Sequence, residues 1–229
     1  MNIDDMSIKP STVPDLDAFA KLMRYEWVNH DLLSMVGFEV LARDKLTCRF
    51  CGFKSRSASK QGVKHGWMVP VCLNHPAYYA LSVDKGITLC PFCVSYQALN
   101  WAVNTVFIKG QEQPAPGYLI SLPQRDQVEL NRLALYVSAS ISSRPIGGDQ
   151  ASDDGAASAI DSAMKARQSS LQTEIPIYVP GDDYSFARGI ALLPDDLYEH
   201  RDKVFTGLRW WPNMQYWERQ GIFWKRASY

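Results

Sequence analysis

The sequence predicts an α+β fold in which a small ββα zinc-binding unit is embedded among helices. Three observations predict it. Two Cys-x-x-Cys pairs, Cys48/Cys51 and Cys90/Cys93, have 38 residues between them in a 229-residue chain with five cysteines. Short apolar, strand-like runs at 67–73 and 87–89 lead toward the second pair. Apolar residues at three- and four-residue spacing flank the unit on both sides, as amphipathic helices require.

Each cysteine pair reads as half of a tetrahedral Zn²⁺ site, because a two-residue spacer lets one tight turn aim two thiolates at one ion. In Cys48-Arg49-Phe50-Cys51-Gly52-Phe53, Gly52 supplies the positive φ often needed just past the second ligand. In Cys90-Pro91-Phe92-Cys93, Pro91 suits the first turn of a helix, and Cys93 gains from the positive end of its dipole. Disulfides are the competing reading. The opening Met1 to Asp5 has no basic start, apolar core or cleavage site, which predicts a protein that is not secreted by that route. Cys72, the odd cysteine, is expected as a small buried apolar group.

In chain order, residues 1–13 read as a loosely held polar arm. Leu16, Phe19, Leu22, Met23 and Trp27 predict a helix from Asp15 to about residue 29, followed by a second periodic piece over 32–41. The Ser/Lys/Gly-rich stretch 54–66 is the turn of a hairpin, and Pro70 confines the strand over 67–73 to a sheet edge. A helix is expected over 94–107, a Pro/Gly break over 110–117 and a strand over 118–122. Asp126 and Glu129, ahead of Leu130, Leu133, Ala134, Val137 and Ile141, give the clearest helix signal in the chain. Residues 143–158 read as a flexible surface segment, with a modest helix to about 171. Residues 175–180 are strand-like, and Pro194-Asp195-Asp196 opens a helix carrying Leu197, Tyr198 and Val204. The organisation expected is therefore an arm (1–13), a zinc domain with flanking helices (14–142), a linker (143–174) and an aromatic-rich extension (175–229). In that extension Trp210, Trp211, Trp217 and Trp224 either anchor a partner or pack on their own domain.

Composition narrows the function. Twenty-four basic and 24 acidic residues cancel, so the chain lacks the global pull on which non-specific DNA binding relies. A local basic stretch, Arg49, Lys54, Arg56, Lys60, Lys64 and His65, reads first as solvated loop charge. It leaves a zinc-module DNA-binding protein as one alternative. No apolar segment approaches the ~20 residues that span a bilayer, so a cytosolic protein is expected.

A knuckle, a hairpin and a helix that supplies the second ligand pair make a treble-clef-like module, whose function depends on what is grafted on it. One graft is the HNH nuclease, in which a histidine activates water beside a catalytic divalent ion. Asp44 leading into Cys48–Gly52 resembles the HNH entry pattern. The water-activating histidine, expected about 18 or 19 residues before the second pair, is Val71 or Cys72, and the asparagine position is Lys85. The metal-holding histidine position is Val94. Asn74 and His75 lie close by and keep an HNH endonuclease as the second alternative; His30, His65, His75 and His200 are otherwise expected at the surface.

Further blocks carry a more specific likeness. Arg43-Asp44, Cys48 to Phe53, Leu89 to Cys93, Gly117-Tyr-Leu-Ile-Ser-Leu-Pro123 and Glu129-Leu130-Asn131 fall in an order that resembles the IcmJ (DotN) component of type IVB secretion systems and their conjugative-plasmid relatives. The resemblance runs from about residue 38 to 142. It implies an HNH-like zinc fold without nuclease activity, with Cys48, Cys51, Cys90 and Cys93 as the metal ligands. It also implies a cytosolic subunit that binds an extension of the type IV coupling ATPase at the inner membrane, alongside other secretion or conjugation subunits, and helps recruit substrates.

Overall fold

Helix α1 (Leu16–Met23) starts where the sequence predicts, with the Asp15 carboxylate accepting the Ala18 N–H at 2.9 Å and Phe19, Leu22 and Met23 buried. The structure is a computed structural model, and it describes residues 9–59, 62–79, 82–108, 111–142, 151–194, 196–197 and 200–225. The first helix does not continue to residue 29. Tyr25 turns left-handed (φ 61°), a 3-10 turn follows over Glu26–Asn29, and helix α2 runs over Asp31–Arg43. Tertiary contacts hold this break: the Tyr25 hydroxyl donates to the Trp67 carbonyl at 2.8 Å, and its ring stacks 4.2 Å from that of His65.

Strands β1 (Val69–Val71) and β2 (Ile87–Leu89) pair antiparallel with Val69 opposite Leu89, so Pro70 does lie in an edge strand. Within 54–66, an Ala58–Val63 bridge closes the expected hairpin turn. Helix α3 (Pro91–Tyr96) follows the second cysteine pair, with Cys90 as N-cap. The helix predicted over 94–107 ends early. The chain re-forms a single turn, α4 (Leu99–Ala102), and then strand β3 (Val106–Ile108), paired with β4 (Gln111–Gln113) inside the expected break. Clustered Val103 and Val106 favour that outcome, since β-branched side chains suit strands better than helix interiors.

Strand β5 (Gly117–Ser121) finds its partner far along the chain, in β6 (Leu208–Pro212), with Gly117 opposite Pro212 and Ser121 opposite Leu208. A Cβ on Gly117 would lie 2.4 Å from both the Trp210 indole nitrogen and the Trp211 carbonyl oxygen, so only glycine fits there. Helix α5 (Gln127–Ile141) is capped by Asp126, which accepts the Glu129 N–H at 2.7 Å. It packs against α6 (Ala151–Ala166) and α10 (Glu218–Lys225). Three further short helices are α7 (Leu171–Glu174), α8 (Asp183–Ile190) and α9 (Arg201–Val204).

Several boundaries differ from expectation. Residues 143–150 lie outside the described residues, but 151–158, read as flexible, begin α6, and Ala157 is fully buried. Residues 175–180 form turns: Pro176 and Pro180 lack N–H donors, and Ile177 and Val179 stay exposed around buried Tyr178. The arm is docked from residue 10 onward. The buried side chain of Asn100 accepts the Val13 N–H at 2.9 Å and donates to the Val13 carbonyl at 2.7 Å. Of the helix expected after Pro194, Asp196 and Leu197 are helical and Asp195 and Tyr198 lie outside the described residues; a separate turn, α9, starts at Arg201. No helix among the described residues is long and apolar enough to cross a membrane.

Candidate metal centre

The sulfurs of Cys48, Cys51, Cys90 and Cys93 all lie within 4.8 Å of one another, and all four residues are buried. The first knuckle forms because Cys48 N–H donates to the Phe53 carbonyl (2.7 Å), Gly52 N–H donates to the Cys48 carbonyl (2.9 Å), and Gly52 takes φ +73°. A bridge between Thr47 and Lys54 closes it. Its tip is anchored where Arg49 N–H donates to the Thr88 carbonyl at 2.8 Å on β2. The second pair opens α3, where the Cys93 N–H points at the Cys90 sulfur (3.4 Å). These backbone bonds fix the positions of both pairs of sulfurs.

The donor set passes a simple fit test. Bonds of about 2.3 Å from a central ion to four tetrahedral sulfurs place neighbouring sulfurs about 3.8 Å apart. Cys51 and Cys90 sulfurs are 3.7 Å apart. Burial pushes the Cys90 and Cys93 thiols well above the ordinary thiol range, and the sulfurs of Cys48 and Cys51 add to this. Burial opposes ionisation of Cys48 too, but hydrogen bonds from the other three thiols outweigh it and hold that thiol well below its usual value. Cys72 is buried, free and outside this group, as expected for a small apolar side chain.

A second layer surrounds the sulfurs. Asn131, fully buried on α5, donates from Nδ2 to the Cys93 sulfur at 3.3 Å, and Arg132 Nε donates to the Cys51 carbonyl at 2.6 Å. Asp44, read from sequence as part of an entry pattern, is a clamp. It takes a forked pair of bonds from Arg43 (Nε to Oδ1 2.9 Å, Nη2 to Oδ2 3.0 Å) and accepts the Thr88 N–H at 2.9 Å. Burial works against its ionisation, but Arg43 and Thr88 together hold the carboxyl below the ordinary carboxylate value.

The tail tryptophans are not a partner surface. Trp210, Trp211, Trp217 and Trp224 are at most 2% exposed. Three of them ring Phe92, the residue inside the second Cys-x-x-Cys, at centroid distances of 6.0 Å (Trp210), 5.4 Å (Trp217) and 5.5 Å (Trp224), all edge-on. Three of the indole N–H groups have internal acceptors: Trp210 donates to the Ala102 carbonyl (3.3 Å), Trp211 to Asp161 (2.9 Å) and Trp217 to the Pro116 carbonyl (2.7 Å). The aromatic extension is therefore the far wall of the cysteine site. Burying these rings internally recovers more apolar area than presenting them to solvent.

The remaining sequence-flagged residues scatter. Val71 and Val94 are fully buried and Lys85 is exposed. Asn74 is exposed, and His75 accepts the Ala77 N–H through Nδ1 at 3.1 Å. Arg49, Lys54, Arg56 and Lys64 are exposed, whereas Lys60 lies outside the described residues. His65 is the exception to surface placement. It is 6% exposed, packed on Tyr25, Trp27 and Trp67, and accepts the Trp67 N–H at 3.0 Å. No protein-family model and no curated protein matches the chain.

Proposed function

We propose that this chain is a zinc-stabilised, non-catalytic adaptor subunit of a type IV secretion or conjugative transfer apparatus. In that role it binds the coupling ATPase or its C-terminal extension, helps recruit substrates, and sits peripherally at the inner membrane through its partner. The observation that carries the metal part is the convergence of four buried sulfurs within 4.8 Å of one another, with Cys51 and Cys90 3.7 Å apart. A four-sulfur tetrahedral set suits Zn²⁺ or iron–sulfur chemistry. Sulfurs this close favour one ion, because a multi-iron cluster spreads its thiolates over several metals. The closed set leaves no open position for a water, which is the mark of a structural rather than a catalytic zinc. Knuckle, β1–β2 and α3 together support a treble-clef-like module on an HNH-type scaffold.

The non-catalytic reading is supported by the residues at the positions where such a scaffold carries its chemistry. Val71, Cys72, Lys85 and Val94 cannot activate water or complete a divalent-ion site. The secretion part rests on the sequence resemblance over about residues 38–142.

Elemental analysis should give about one zinc per chain. The full chain should capture a tagged C-terminal segment of the coupling ATPase when both are expressed. Failure to retain any component from a strain expressing the whole apparatus contradicts the adaptor reading. Mg²⁺-dependent plasmid nicking abolished by His75→Ala would replace it with the endonuclease. Duplex binding that weakens steeply with salt and with loss of Arg49, Lys54 and Arg56 would replace it with the DNA-binding protein.

A further inference from the structure

We propose that Gln127 and Asn131 form a polar relay that aims a hydrogen-bond donor at the Cys93 thiolate and ties metal affinity to the seating of strand β6. The inference rests on the metal-centre reading above and extends it to residues outside the four ligands.

The relay begins at a backbone group whose polarity is fixed. On the free edge of β6, Trp210 N–H donates to Gln127 Oε1 at 2.9 Å, and the Trp210 carbonyl accepts from Gln127 Nε2, also at 2.9 Å. A peptide group cannot exchange its N–H for its C=O, so the Gln127 carboxamide has one acceptable orientation. Its second Nε2 hydrogen then goes to Asn131 Oδ1 at 2.8 Å. That contact in turn leaves only Asn131 Nδ2 to face the Cys93 sulfur, at 3.3 Å. Gln127 is 3% exposed and Asn131 is fully buried, so water supplies neither partner.

The arrangement matters because four thiolates around a divalent ion leave two formal negative charges in a dry site. Donors aimed at the sulfurs offset the lost hydration, and such outer-layer groups govern metal affinity. A reversed Asn131 amide would set a carbonyl oxygen against a thiolate. The strand edge prevents this reversal across one turn of α5. Both residues are positioning residues, and the metal centre gains its donor only when β6 is in place.

Cobalt(II) is the probe, titrated into the full-length metal-free protein and competed with a chelating dye. The native chain should show tetrahedral cobalt–thiolate absorption. Asn131→Asp and Gln127→Glu should each lose about 10- to 100-fold in affinity and shift the sulfur-to-cobalt charge-transfer band. Gln127→Glu is the sharper variant, because it touches no sulfur and still accepts the Trp210 N–H. Asn131→Leu removes the donor without adding charge and carries the test if an acidic variant does not fold. Unchanged affinity with an unshifted band in folded Asn131 variants overturns the donor role. A Gln127→Glu protein that binds like the native chain overturns the relay. A native protein that takes up no cobalt removes the metal reading and this inference together.

Discussion

At the scale of single residues, two buried ionisable groups set how the protein responds to acid. Asp44 is held ionised by Arg43 and the Thr88 N–H, so it stabilises the fold above the ordinary carboxylate range. That contribution is lost as pH falls below about 4, when the folded carboxyl finally protonates. Asp44→Asn should cost about 2 kcal/mol near neutral pH, and the deficit should shrink in acid; denaturant melts at several pH values check it. His65 titrates the other way round in origin but with the same sign. Burial lowers its pKa from 6.5 to about 4, so the unfolded ring takes a proton first and acid favours unfolding. Stability is full above pH 6.5 and declines as pH falls toward about 4, by on the order of 3 kcal/mol. His65→Phe should flatten that slope relative to the native chain, a difference that metal release, common to both proteins, leaves intact. Sequence alone placed His65 at the surface, since nothing local announces that Tyr25, Trp27 and Trp67 enclose it.

Elements with their signals in adjacent residues were the legible ones. The Asp126 cap and the apolar period behind it specify α5, and the cysteine spacings with Gly52 and Pro91 specify both knuckles. Elements decided by distant partners were not. Strand β5 is readable, but its partner β6 lies in a stretch that reads only as aromatic-rich. Gln127 and Asn131 look like ordinary polar positions on a helix, and their burial follows from β6 arriving beside them. The pairing makes a direct prediction at Gly117. A methyl group there meets a backbone carbonyl that cannot step aside, so Gly117→Ala should cost about 1–3 kcal/mol. Thermal melts of the purified variant measure it, and an unchanged midpoint would contradict the β5–β6 register.

For the whole molecule, the cysteine site and the C-terminal aromatics form one core. Phe92 sits between the second ligand pair and three tryptophans, and Phe53 of the first knuckle meets Trp224 at 5.6 Å. Separate zinc and tail units would leave these rings bare to solvent. Ending the chain after Gly207 should therefore expose the Phe92 surface and lower metal retention together, read by dye binding and metal content. The tail's role was ambiguous in sequence because dense aromatics serve interfaces and cores equally well. The central claim is that four cysteines close around one ion, and metal content with thiol accessibility tests it most directly. The native protein should carry about one zinc per chain, with Cys48, Cys51, Cys90 and Cys93 unreactive toward a thiol reagent until a chelator removes the ion. Protein that holds no metal while those four thiols react freely would contradict it.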